Sequence, residues 1–177
     1  TEDRWVRAIE IRPSATARRI VHHIVTNLVQ QEEKYGAVDV GDAGGYFSEF
    51  AVGKVGDRFR ENTGKLMKAG SKIRFDIHYH SVGEEITDTL EVGWWFYPKG
   101  KTPRYSAEFT SVGAVPGGTT AVQVPPNTVT EHQGTTVLQA PAMLHNFQPH
   151  MHYRGKAQTL EAVYPDGRRE VINRVTR

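Results

Sequence analysis

The chain has 177 residues, with 22 lysines and arginines against 20 aspartates and glutamates, so its formal net charge is +2. This length fits one domain or two small ones and is enough to bury a hydrophobic core. The balanced charge gives no general attraction for nucleic acid, no apolar run is long enough for a membrane span, and the absence of cysteine excludes disulfides and thiolate chemistry.

The pattern of apolar residues predicts β-strands along most of the chain. Glycines and prolines interrupt these runs about every 8–12 residues, which is the spacing of an all-β sandwich. The expected strands are 19–29, 72–80, 90–97, 119–124, 134–139, 144–153, 158–164 and 168–175. The last two form a hairpin through the turn Pro165-Asp166-Gly167. Only residues 26–35 hint at a helix, so the prediction is an all-β protein.

The strand 72–80 alternates most clearly between its two faces. On a strand, residues two apart point to the same side, with their α-carbons about 6–7 Å apart. One face is therefore expected to carry Ile73, Phe75, Ile77 and Tyr79, and the other Arg74, Asp76, His78 and His80. In the next strand, Trp94 and Trp95 are expected on opposite faces, with one of them in the core.

A linker is predicted at residues 98–103, where two prolines enclose a glycine that lies between two lysines. The linker follows an aromatic strand and precedes a further series of short strands. We therefore expect two β-lobes, one formed by residues 1–100 and the other by residues 101–177.

The histidines are the unusual feature of the composition. Six of the eight stand in three tight groups, which are His22-His23, His78-Tyr79-His80 and His150-Met151-His152. Two residues at positions i and i+2 of a strand project together, so each of the last two groups offers a pair of imidazoles on one face. With no cysteine present, imidazole is the obvious ligand for copper, zinc or iron.

The adjacent His22 and His23 would face opposite sides of a regular strand. They can serve one metal ion only at a strand end or at a β-bulge, where the ladder is already broken. The other two histidines, His132 and His145, are isolated and are interpreted as ordinary surface or core residues. The spacing of the three groups predicts at least one bound transition metal.

Three phrases occur in the order and approximate spacing of one enzyme family: Val21-His22-His23-Ile24-Val25, Phe75-Asp76-Ile77-His78-Tyr79-His80, and Pro149-His150-Met151-His152-Tyr153-Arg154-Gly155-Lys156. On these motifs the chain resembles the copper type II, ascorbate-dependent monooxygenases, the family of peptidylglycine α-hydroxylating monooxygenase and dopamine β-monooxygenase. The segment 66–70 and the phrase at 164–167 add to the likeness, most of all to bacterial members. The resemblance runs over nearly the whole chain and covers only part of the family's catalytic core.

The resemblance implies two jelly-roll-like β-sandwich lobes, each holding one copper ion. His22, His23 and His78 match the three ligands of the copper that transfers electrons. His150 and His152 match two ligands of the copper at which dioxygen binds and a C–H bond is hydroxylated, and would form the catalytic pair. Ascorbate or a similar one-electron donor and a small-molecule substrate would be the partners, and the periplasm or the cell exterior the location.

The chain departs from the family in two respects. The family's oxygen site has a methionine ligand well beyond the His-x-His pair, and the sequence stops at Arg177, so we expect an incomplete second lobe and a longer enzyme or assembly. Two residues before that pair, where the peptide enzyme holds its substrate's carboxylate with an arginine, Gln148 stands instead. A glycine-extended peptide is therefore not the expected substrate. His80 matches no ligand of the peptide enzyme, and we assign it and Gln148 to the surroundings of the metal or to no role.

Three other interpretations stay open at this point. The first is a copper-binding or electron-transfer β-module without catalysis, docked in a larger assembly. The second is a cupin-like metalloenzyme, which His78, His80 and Glu84 suggest, although Gly70 and Gly93 miss the glycine positions of that motif. The third is a set of histidines that bind no metal.

Overall fold

The structure, a computed structural model, describes residues 2–30, 45–110, 112 and 123–177. The described elements are ten β-strands and one short 3-10 turn, so the all-β prediction is confirmed. In chain order they are β1 (Arg4–Arg12), the turn Ala17–Arg19, β2 (Val21–Val29), β3 (Tyr46–Ala51), β4 (Gly56–Arg58), β5 (Thr63–Met67), β6 (Lys72–Tyr79), β7 (Glu91–Phe96), β8 (Tyr105–Ser106), β9 (Ala157–Val163) and β10 (Arg169–Thr176).

The first 136 residues form one compact unit built from two sheets. Strand β1 is central in the larger sheet: β7 runs antiparallel along one of its edges, and β4 and β5 share the other edge. Strand β8 adds to β5 in parallel. The smaller sheet has β2 in the middle, between β3 and β6, with both pairs antiparallel.

The hydrophobic core joins residues of both sheets, which makes this unit a β-sandwich. Its buried members are Val6, Ile9, Ile11, Ala17, Val21, Ile24, Leu28, Phe47 and Phe50. Val6 and Ile9 are three residues apart, which interrupts the alternation of inward and outward side chains in β1. The register of β1 with β7 shifts between Val6 and Ala8. A bulge at this point keeps both residues in the core, because one extra residue restores the inward phase of the strand.

All five of the expected strands in the first hundred residues and at the end of the chain are present. Strands β2, β6, β7, β9 and β10 lie within one or two residues of their predicted ends, and the predicted linker is a loop. The suggestion of a helix at 26–35 is wrong for residues 26–29, which belong to β2, and its remainder falls largely outside the described residues. Trp94 packs against the core and Trp95 is exposed, as expected.

Two expected strands are absent. Residues 134–139 and 144–153 form no ladder, and the described part of 119–124 (residues 123 and 124) forms none either. The second segment contains Pro149, which has no N–H to donate, and it ends in a turn where Gly155 N–H donates to the carbonyl of His152 at 2.8 Å. The described residues of this segment have no neighbouring strand.

Residues 137–177 form the second compact unit. Its regular structure is the β9–β10 hairpin, which turns at the predicted Pro165-Asp166-Gly167. The whole of this unit is described, and none of its residues is buried. The contacts thus divide the chain after residue 136, whereas the two lobes of 1–100 and 101–177 stay a prediction. Among the described residues, no helix has the length and apolar character needed to cross a membrane.

Lys65 connects the two sheets of the first unit. It pairs with Val6, so its side chain lies on the core side of β5, and its Nζ donates a hydrogen bond to the carbonyl of Tyr46 on β3. The ammonium also lies 5.5 Å from the ring centre of Phe47. Burial lowers the pKa of Lys65, and the charge of Glu108 opposes this shift. The lowered pKa means that the fold carries a net cost for the charged form of this lysine.

We expect Lys65→Met to raise the free energy of unfolding at pH 7, because a side chain of similar length then fills the same space without a charge. The pKa of Lys65 in the folded protein lies below the unfolded value of about 10.4. The free-energy cost of burying the charged lysine is therefore fully present at pH values below the folded pKa, and it disappears as the pH rises to the unfolded pKa. Wild-type stability should therefore rise across this window, and the variant should lack that rise. Urea unfolding of the wild type and the variant from pH 7 up to the unfolded pKa of about 10.4 measures both differences, and a variant less stable than wild type at pH 7 would contradict this expectation.

Candidate metal centre

A β-bulge in β2 brings the two adjacent histidines to the same face. Val21 pairs with Tyr79 of β6, but the next pair is His23 with His78, so that His22 is an extra residue in β2. The core requires this irregularity, because Val21 and Ile24 are both buried although they lie three apart. The sequence required a strand end or a β-bulge for His22 and His23 to share a metal ion, and a bulge is present.

Three imidazoles meet on the outer face of the smaller sheet. The rings of His22 and His23 have centres 5.1 Å apart, and His78 on the neighbouring strand lies 5.2 Å and 4.9 Å from them. One ring nitrogen from each histidine lies within 4.8 Å of the other two. His22 and His78 are exposed and His23 is half-buried, so the group is open to solvent. We call these three residues the histidine triad.

The geometry of the histidine triad suits a metal ion with nitrogen ligands. Two nitrogens bound at 2.0–2.1 Å to one ion lie about 2.8–3.4 Å apart for ligand angles near 90–110°. The Nδ1 atoms of His22 and His23 are 2.9 Å apart, within that range, and a ring nitrogen of His78 lies within 4.8 Å of the group. A hydrogen bond between two ring nitrogens needs one hydrogen, and a bound cation would take the place of that hydrogen.

Two carboxylates lie in the next row of the same face. Val25 pairs with Glu49 on one side and Asp76 on the other, two residues from His23 and therefore about 6–7 Å along the strand. Each acid already has partners. Glu49 lies 3.5 Å from the Nζ of Lys54. Asp76 accepts hydrogen bonds from Asn27 and from Arg74, each at 3.2 Å. Both acids are thus paired with cations, Lys54 and Arg74, and neither belongs to the group that could hold a metal.

His80 lies outside the histidine triad. It follows the last residue of β6, and its backbone N–H donates to the carbonyl of Ile20 at 2.6 Å. Glu84, the carboxylate of the cupin-like alternative, forms an ion pair with Arg19. Within the described residues, the group of histidine and acidic side chains able to hold a metal consists of the triad alone.

His150 and His152 are also close together, with ring centres 4.9 Å apart. The predicted alternation holds in this extended segment: Phe147, Pro149 and Met151 are half-buried, and the two histidines and Gln148 are exposed. The pair therefore keeps a common direction although no ladder supports it. It offers two imidazoles, and no acidic or third histidine side chain of the described chain joins them in a group of three.

The isolated histidines behave as interpreted from the sequence. His132 is exposed and has a ring nitrogen 3.1 Å from the hydroxyl of Thr130, and His145 is exposed as well. Glu49 was missed, because the sequence shows an acid in a short strand with no sign that it would pair beside the residue following the histidines.

The comparisons with known proteins do not extend these observations. No family model, no curated protein and no solved structure matches this chain. A function for this chain therefore has to be inferred from its own residues, above all from the histidine triad and the pair His150 and His152.

Proposed function

We propose that the chain is a copper protein that takes part in hydroxylating a C–H bond with dioxygen and a one-electron donor such as ascorbate. The observation that carries the proposal is the histidine triad: a β-bulge and a neighbouring strand present three imidazoles within 4.8 Å. The motif resemblance to copper type II, ascorbate-dependent monooxygenases supports the same assignment, and with it a periplasmic or secreted location.

Three imidazoles can hold copper, zinc or iron, and the motif resemblance is the reason why we propose copper. The donor set is three neutral nitrogens with no thiolate in the chain, and imidazole supports both common oxidation states of copper. Bound there, the metal would supply one-electron redox chemistry. The chain's own part is to hold three ring nitrogens on a rigid sheet, at a place open to a small reductant.

His150 and His152 are proposed as the ligands of a second copper, at which substrate would react. Their rings share one exposed side of the segment, and Gln148 on the same side can donate or accept a hydrogen bond near that position. Met151 has the opposite exposure pattern, so we do not propose it as a ligand from this segment.

A second candidate function is a copper-binding or electron-transfer module without catalysis. It is favoured by the contrast between three imidazoles on a sheet and two on a segment without a ladder. A site with two protein ligands binds copper more weakly and leaves its position less fixed.

Copper stoichiometry and dioxygen uptake distinguish these functions. The full chain is loaded with copper, dialysed and counted by mass spectrometry, and dioxygen uptake with ascorbate is compared with that of His150→Ala at equal copper. Two ions per chain and an uptake at least about tenfold above the variant would support dioxygen reduction that depends on His150, which the proposed hydroxylation requires. One ion and no difference in uptake would support the module, and no retained copper would overturn both.

A further inference from the structure

The outer face of the larger sheet carries an exposed strip along β1 and β7. Cross-strand partners share a face, and the strip consists of the pairs Ala8–Trp95, Glu10–Gly93 and Arg12–Glu91. The intervening Ile9 and Ile11 are buried in the core, which fixes the strip on the side away from the smaller sheet. It is therefore on a different face from the histidine triad.

An indole ring is the main apolar feature of this strip. Trp95 is 42% exposed, whereas its neighbour Trp94 packs against the core. The Trp95 ring leans along β7 over Gly93, and a Cβ at that glycine would lie 3.0 Å from the ring. A side chain at position 93 would require the ring to shift slightly, so glycine lets the ring lie close to the backbone while it still faces solvent.

The same strip leads into an open depression of about 340 Å³ at the end of β1. Arg12 and Glu91 belong to both, and Ser14, Arg18 and Thr89 complete the polar part of the lining. From Trp95 to Glu91 the strand advances four residues, or about 13–14 Å. The aromatic ring and the polar depression are thus two ends of one elongated surface.

The surface carries both arginine and glutamate side chains. The guanidinium of Arg18 is exposed and, among the described residues, has no hydrogen-bond or ion-pair partner. Arg12 donates to Glu10 at 2.8 Å. The surface therefore has donors suited to a carboxylate and, in Glu10 and Glu91, acceptors suited to hydroxyl groups.

We propose that this strip binds an anionic sugar chain, of the class of uronic acid oligosaccharides. The apolar side of a pyranose ring would lie on Trp95, and a carboxylate further along the chain would meet Arg18 and Arg12. Sugar hydroxyls can donate to Glu10 and Glu91, which gives the hydroxyl groups of the same ligand a partner on this surface. An aromatic ring, free guanidinium and carboxylate acceptors on one line match a ligand that alternates apolar ring faces, hydroxyls and acids.

Isothermal titration of the full chain with hexagalacturonate tests the proposal, in metal-free buffer because uronates themselves bind copper. Binding is expected, with Trp95→Ala lowering the affinity about tenfold and Trp95→Phe less. Arg18→Gln should lower it up to about fivefold and flatten its dependence on salt. Arg174→Gln on β10 is the matched charge control and should leave the affinity unchanged.

Two results would overturn the proposal. One is no binding of hexagalacturonate by the wild-type chain, or binding that Trp95→Ala leaves intact. The other is equal affinity for neutral cellohexaose, since the arginines would then play no part. The measurement involves neither copper nor the histidine triad, so its outcome is independent of the proposed function. Thermal unfolding of each variant shows whether it remains folded.

Discussion

Replacing His78 with alanine is expected to lower the copper affinity of the chain at least about a hundredfold. Loss of a partner outside the ligand set already costs about 10–100-fold in metal sites, and this change removes one of three ligands. The remaining pair, His22 and His23, stays on its bulge because the core holds the bulge in place. Titration against a chelator of known copper affinity, with the protein in excess, measures the change.

The matched control is His80→Ala, two residues along the same segment. It removes the same side chain from an exposed position that lies outside the histidine triad, and we expect a change of no more than about twofold. If both variants lost copper equally, the ligand set would be wrong. If neither did, the metal would have to be bound elsewhere, with His150 and His152 the next residues to replace.

The largest loss of stability is expected for Ile24→Ala, at about 3–4 kcal/mol. Ile24 is fully buried in the middle strand of the smaller sheet, where it pairs with Phe50 on one side and Ile77 on the other. Alanine would lose the transfer free energy of the removed atoms and leave a cavity between two neighbours that are fixed by their own strands. Urea unfolding of the copper-free chain at pH 7 measures the difference.

Val52→Ala provides the control for this substitution. Val52 is 90% exposed in the loop after β3, and its truncation should change the free energy of unfolding by less than about 0.5 kcal/mol. A loss below about 1 kcal/mol for Ile24→Ala would show that the core relaxes around the site, and that the packing of the two sheets is looser than the burial of Ile24 indicates.

The local geometry of the triad could be foreseen from the sequence to a large extent. His78 follows from the alternation of β6, and the shared face of His22 and His23 required a bulge. The sequence contains a sign of that bulge: Val21 and Ile24 are three apart, and a strand that buries both must contain one extra residue.

Strand β3 was not foreseen, for an identifiable reason. Its middle residues Ser48 and Glu49 are polar but buried, so the sequence 46–51 lacks the apolar pattern that predicts a buried strand. The backbone of Ser48 exchanges hydrogen bonds with the hydroxyl of Thr26, at 2.7 and 3.1 Å, and its own hydroxyl donates to Asp57 at 2.6 Å. Hydrogen bonds to residues distant in the sequence satisfy the polar groups of this buried strand, and the local sequence pattern does not predict such partners.

The segment around His150 shows the opposite error. Its alternation of apolar and polar residues is real, and the exposure of Phe147 to His152 follows it. Alternation reports which way side chains point, however, and a strand also needs a neighbour that accepts its hydrogen bonds. Pro149 removes one of those bonds, and the described chain supplies no ladder partner for the rest.

The bulge at His22 makes the three-imidazole group a feature that one inserted or deleted residue can create or remove. A regular strand with a single outward histidine between buried residues gains a second one, on the same side, when one residue is inserted. The apolar residues before and after it, Val21 and Ile24, stay in the core. A sandwich with an apolar-His-His-apolar phrase and a histidine on the facing strand is therefore a natural scaffold in which to transplant, or to erase, a three-nitrogen site.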